Sequence, residues 1–226
     1  MKFDVKYGPA YSLGVIGLDG GEQVQAVTGA MVSMSGGITI ETSMKGGLMA
    51  GLKRSVLGGE SFFMNTFTAA QPGELTVSPP LPGDMVTIDL SEKELLVHSG
   101  SFLAASTDVQ IDTKWGGSKT FFSGEGLFLV KLSGHGTVLV SSYGAIEERD
   151  LAQGESWVID TSHIVGFEST INYQVQKSGG WKTTLLGGEG LVVNLTGPGR
   201  VYMQTRSPQA FLDWLIPQLP SPQKND

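Results

Sequence analysis

Three histidines, His98, His135 and His163, are the side chains of this sequence best suited to carrying a proton near neutral pH or to binding a transition metal. A metal centre needs several such ligands together, often visible as a short His-x-His pair, and no comparable spacing occurs. His98 and His163 fall near the ends of apolar runs, and His135 stands between Gly134 and Gly136 in a turn. The sequence predicts no metal site. Nucleophilic chemistry fares no better: there are no cysteines and no Gly-x-Ser-x-Gly elbow to present a serine. Gly46 to Gly51 has the spacing of a phosphate-binding loop, but Leu52 intrudes before Lys53, and Arg54 stands where a serine or threonine is needed. Together these features predict no catalytic residue and no cofactor, and the expectation is a protein that is not an enzyme.

The elements behind these residues are organised by recurrence. Gly59-Glu60, Gly124-Glu125 and Gly188-Glu189 each open an apolar run, and their glutamates lie 65 and then 64 residues apart. A near-constant period marks a repeated unit. Equivalent turn glutamates serve best as acceptors for backbone amides, so Gly59, Glu60, Gly124, Glu125, Gly188 and Glu189 are expected to be structural. Gly21-Glu22 through Ile40 overlays Gly154-Glu155 through Tyr173 at an offset of 133, and Leu95 to Ile111 overlays Trp157 to Tyr173 at an offset of 62. The expectation is one compact domain of three β repeats, about 22–83, 84–153 and 154–206.

Strands are expected wherever apolar residues alternate with polar ones: Val24 with Ala26, Ile38 with Ile40, Val86 with Ile88, Val109 with Ile111, Val138 with Val140 and Val201 with Met203. The 32 glycines suit a chain that turns often. Pro79, Pro80 and Pro82 confine their stretch to an edge or a connection, and Glu147 to Asp150 is expected as a solvated loop. Residues 44–59 are expected to form a long loop, because each glycine costs a helix about 1 kcal/mol. One helix, 208–216, is predicted from Ser207 as its cap and Pro208 at its first position, with Pro217 stopping it.

A formal charge of −7 repels phosphate backbones, so nucleic acid is not expected as a partner. The amino terminus lacks the apolar core of a secretory signal, and no run approaches the ~20 apolar residues of a spanning helix, which leads to the expectation of a cytoplasmic protein.

Gly29-Ala30-Met31-Val32, Gly58 to Phe63, Ile159 to Val165 and Gln204-Thr205-Arg206 together resemble the altered-inheritance-of-mitochondria family, also described as a mitochondrial biogenesis family. The resemblance covers nearly the whole chain. It implies a double-stranded β-helix similar to that of the tryptophan RNA-binding attenuator protein, and a homotrimer in which each chain gives three such units to a ring. It supplies no catalytic residues. The function expected is therefore a non-catalytic binding or scaffold protein of unknown ligand, forming a trimeric β ring. Two other classes stay open: an RNA-binding ring by analogy of fold, and a peripheral organiser at a membrane. Lys131 and Asn194, at equivalent places in the repeats, do not repeat the charge that an RNA ring needs. Lys45, Leu48, Met49, Leu52, Lys53 and Arg54 combine basic and apolar side chains in a glycine-rich stretch, and are expected to meet another subunit, an unidentified protein or an anionic lipid surface.

Overall fold

The computed structural model describes residues 1–43, 63–91, 93–112, 127–177 and 191–220. The contact stretch Lys45, Leu48, Met49, Leu52, Lys53 and Arg54 lies outside the described residues, and so do the turn residues Gly59, Glu60, Gly124, Glu125, Gly188 and Glu189. The described chain is all-β apart from one short helix at its C-terminal end and three 3-10 turns.

Strand β1 (Lys2–Lys6) precedes three sets of six strands. The first set is β2 (Leu13–Leu18), β3 (Gln23–Val27), β4 (Met31–Met34), β5 (Ile38–Ser43), β6 (Met64–Ala69) and β7 (Gly73–Val77). The second is β8 (Met85–Asp89), β9 (Leu95–His98), β10 (Phe102–Ser106), β11 (Val109–Asp112), β12 (Leu129–Gly134) and β13 (Thr137–Ser141). The third is β14 (Ile146–Leu151), β15 (Ser156–Asp160), β16 (Ile164–Glu168), β17 (Asn172–Lys177), β18 (Leu191–Thr196) and β19 (Gly199–Gln204).

Pairing follows one pattern in all three sets, and every pair is antiparallel. The first and third strands flank the sixth, as β2 and β4 do β7, β8 and β10 do β13, and β14 and β16 do β19. The second and fourth strands flank the fifth, as β3 and β5 do β6, β9 and β11 do β12, and β15 and β17 do β18. Each set is thus two three-stranded halves. Their inner faces meet over a shared core, which in the third set holds Ile164, Phe167 and Val201 from one half and Ile159, Val193 and Leu195 from the other. Strand β18 shows the cause: Leu191, Val193 and Leu195 are buried while Val192, Asn194 and Thr196 are only partly covered, the period of two that a pleated strand imposes.

Adjacent sets join through a second strand and a third strand. β3 pairs with β10, and β9 with β16. Two continuous sheets result, β5-β6-β3-β10-β13-β8 and β11-β12-β9-β16-β19-β14. Two half-sheets are left, β1-β2-β7-β4 at one end and β15-β18-β17 at the other. Each third strand carries a register shift against its sixth strand, at Val32 in β4, Leu103 in β10 and Val165 in β16. Such bulges re-aim the side chains around them. Gly166 follows the last of these because a Cβ there would press on the backbone of Leu96 and Val97 in β9.

Residues Glu147 to Asp150 are not a loop but the middle of edge strand β14. Their charges lie across from β19, where Asp150 stands opposite Arg200. The Arg200 guanidinium takes both oxygens of Asp150, at 2.7 and 2.8 Å, and reaches Glu148 at 3.0 Å. An edge strand tolerates such a run and gains from it, since charges discourage a further strand from adding there. The N-terminal β1–β2 hairpin carries little alternation, since Gly14 and Gly17 interrupt its apolar run. Gly14 is needed because Leu139 Cδ2 and Val77 Cγ2 occupy the place of its missing side chain.

The helix α1 (Pro208–Leu215) starts as its sequence predicts, with Ser207 Oγ accepting from Ala210 N at 3.1 Å. Its α-helical part stops at Leu215, one residue short of expectation, and Pro217 sits within a 3-10 turn that follows, Ile216–Gln218. Phe167, fully buried at the β9–β16 junction and 5.3 Å from the Tyr173 ring, anchors the third core. Replacing it (Phe167→Ala) is expected to cost about 3–5 kcal/mol in urea unfolding, whereas Glu147→Gln on the exposed edge should stay within about 0.5 kcal/mol. Equal costs for the two would contradict this placement of the core.

Candidate assembly edges and a charged cleft

The two half-sheets end on strands whose counterparts are joined inside the chain. β4 corresponds to β10 and β16, and β15 to β3 and β9. At the internal junctions these positions are covered: the bulged residues Leu103 and Val165 are 2% and 0% exposed. Val32, the bulged residue of β4, is 57% exposed, and Met31 and Met34 flank it in the open. The opposite edge behaves alike. Gln25 and Leu96 are 4% and 1% exposed, while Val158, at the same place in β15, is 57% exposed. Trp157 is exposed beside it, with the Arg149 guanidinium 3.7 Å above its ring. Asn194, opposite Val158 on β18, keeps a buried Oδ1 that accepts no hydrogen bond. Two strand edges of the described chain, β4 and β15, thus combine exposed apolar side chains with an outer row of backbone groups that pairs with no further strand.

The sequence missed these edges because Val32 and Val158 carry the same signature as core residues. Only the pairing shows that their neighbours are absent.

The second feature is a cleft of about 900 Å³ where the second and third sets meet, lined by Asp89, Ser91, Lys93, Glu94, His135 and Glu168 among others. Its ionic groups are paired: Lys93 Nζ lies 3.4 Å from Glu168, and Lys131 Nζ lies 2.9 Å from Glu94. Ser91 Oγ and its backbone amide both donate to Asp89. His135 stands in the β12–β13 turn on the rim, as its flanking glycines predict. The other histidines serve the backbone on other elements. His98 Nδ1 accepts from Gly100 N at 3.2 Å where β9 ends, and His163 Nδ1 meets the Gln204 carbonyl at 2.7 Å. Among the described residues no cluster of His, Asp or Glu is placed to hold a metal ion, and no helix is long and apolar enough to cross a membrane.

Two carboxylates, Glu94 and Asp150, are held toward their charged form. The Lys131 ammonium bonded to Glu94 holds that carboxyl below its usual range, and Arg200 does the same to Asp150. Groups depressed by cations and donors are poor general acids near neutrality. They matter for stability instead. Because each folded pKa lies below the unfolded one, the stabilisation is fully present above the ordinary carboxylate range and is lost as pH falls from that range through the lower folded pKa. Thermal melting followed from pH 7 down to pH 3 should show stability declining, and Lys131→Met should shrink the part of that decline due to Glu94. A Lys131→Met protein with an unchanged pH profile would contradict the assignment.

Known proteins share this architecture. A crystal structure of a protein from Streptococcus pyogenes superposes with a TM-score of 0.82 at 29% identity, covering 96% of this chain and 99% of the other. An uncharacterized protein of Streptococcus pyogenes serotype M6 is 29% identical over 229 residues, 98% of this chain and 92% of that relative. The family model described as mitochondrial biogenesis AIM24 matches residues 3–206, and the chain belongs to that family.

Proposed function

We propose that the protein is a non-catalytic scaffold whose working form is a closed β ring of three copies, each joined to the next through β15 and β4. One observation carries this reading: the half-sheets β15-β18-β17 and β2-β7-β4 are the two pieces from which each continuous sheet of the chain is made. In those sheets Ala26 faces Ala104 and Gln25 faces Ala105, just as Val97 faces Gly166 and Leu96 faces Phe167. The same step sets Ile159 opposite Ser33 of the next copy, and Val158 opposite its Met34. That pairing covers Val32, Met31 and Trp157 and satisfies the open backbone edges. It also leaves neither β4 nor β15 free to recruit chains without limit, because a ring closes what a fibre would repeat.

The three sets are, in this reading, copies of one attenuator-like double-stranded β-helix unit, and the number three rests on the family resemblance. The scaffold acts in the cytoplasm and has no cofactor, and its partners beyond itself are proteins or anionic surfaces rather than nucleic acid. A formal charge of −7 per chain adds up around a ring and opposes RNA.

Light scattering coupled to gel filtration at micromolar protein should return about three times the 23.9 kDa chain mass. Val158→Lys, which places a charge in the joined edge, should return the mass of one chain. A wild-type protein that stays monomeric across that range would overturn the proposal. Gel shift against random single-stranded RNA at physiological salt should show no complex, and a sub-micromolar complex would favour the RNA-binding ring instead.

A further inference from the structure

Building on the ring proposed above, we infer that α1 of one copy docks on the N-terminal loop of the next, against Tyr7 and Tyr11 of that copy. The observations lie where the sets connect. The segment entering β2 is bonded to the segment entering β8, with Ser12 N donating to Gly83 O at 3.0 Å. The segment entering β8 is bonded in turn to the one entering β14: Asp84 N donates to Gly144 O at 2.9 Å, and Gly144 N to Pro82 O at 3.0 Å. The row takes one more step. Ala145 N donates to Thr205 Oγ1 at 2.9 Å, and Arg206 N to Tyr143 O at 3.2 Å.

Thr205 and Arg206 therefore stand beside Ala145 as Gly144 stands beside Asp84 and as Gly83 stands beside Ser12. Contact is close along the row, since Gly83 leaves no room for a side chain against Ser142, nor Gly144 against Thr205. At the two internal stations the chain runs straight on into the first strand of a set, Gly83 into β8 and Gly144 into β14. At the last station it turns away into α1. In the joined ring the strand that enters there is β2 of the following copy, preceded by that copy's residues 7–12. The helix and the loop are thereby brought to one place.

Both surfaces are unfilled within a single copy. Phe211 holds α1 to its own chain, edge-on to Tyr143 at 6.0 Å, while Leu212, Trp214 and Ile216 are exposed, Trp214 by 64%. Tyr7 and Tyr11 are 72% and 76% exposed. Their loop is fixed from behind, because Ser12 Oγ donates to Asp84 at 3.1 Å and Gly8 abuts the same carboxylate. A helix with an apolar outer face and a tethered pair of tyrosines is the kind of aromatic contact that anchors subunit interfaces.

The chain has no cysteines, which makes placed ones unambiguous reporters. The double variant Tyr11→Cys/Trp214→Cys, treated with a short bis-maleimide, should run as covalent dimers and trimers. The double variant Met34→Cys/Val158→Cys reports the strand edges in the same way. Strand cross-links with no helix cross-links would overturn the docking and leave the ring standing, and failure of both pairs would sink the ring as well. In a second measurement, Trp214→Ser/Ile216→Ser should raise the concentration needed for assembly by about tenfold or more. An unchanged assembly, or a Trp214 that is covered only when vesicles containing anionic lipid are added, would assign the helix to another partner and overturn the inference.

Discussion

Every strand at the edge of a sheet leaves a row of amide and carbonyl groups without partners, and satisfying those rows is the constraint on which this structure depends. The chain meets it twice, by joining β3 to β10 and β9 to β16. At its outer edges it meets it differently. β14 ends one continuous sheet with Glu148 and Asp150 held by Arg200 and Glu147 exposed beside them, a charged rim that blunts pairing. β4 and β15 have no such rim. They present methionine, valine and tryptophan in the open, at positions whose counterparts in β10, β16, β3 and β9 are buried, and this contrast between blunted and exposed edges supports the proposal of assembly.

Packing follows the same logic. Each core is completed partly by its neighbour: Val165 and Tyr202 of the third set lie in the second core, and Leu96 of the second lies in the third. The bulge in each third strand makes this sharing possible, since it turns a side chain such as Val165 toward the adjoining set. Val32 has been turned in the same way, but toward solvent.

Much of the fold was legible in the sequence where a strand has one dry face. Val109 and Ile111 alternate with polar Gln110 and Asp112 because one side of the pleat meets a core, and Ser207-Pro208 marks a helix start by capping chemistry alone. Legibility failed for two physical reasons. In β14 the backbone ladder to β19 is flanked by charged side chains on an exposed edge, so a run of four charges reads as a loop. In β2 two glycines, Gly14 at a close approach to Leu139 and Val77 and Gly17 three residues on, break the periodicity. The candidate surface was not legible at all. Hydrophobicity is the same at Val32 and Val165, and only the register of the strands separates a residue with a neighbour from one that lacks it. The turn glutamates and the basic stretch fall outside the described residues, and nothing in the sequence marks Val32 or Val158 as exposed.

The central claim is that β4 and β15 are interior strands of the working protein. Amide hydrogen exchange followed at micromolar protein reads this directly, because a backbone amide is protected only while it is bonded and sheltered. The account predicts that amides of residues 31–34 and 156–160 exchange as slowly as those of β10 and β3, their counterparts within the chain. Fast exchange along the outward-facing amides of β4 and β15, with slow exchange kept in β10 and β3, would contradict it.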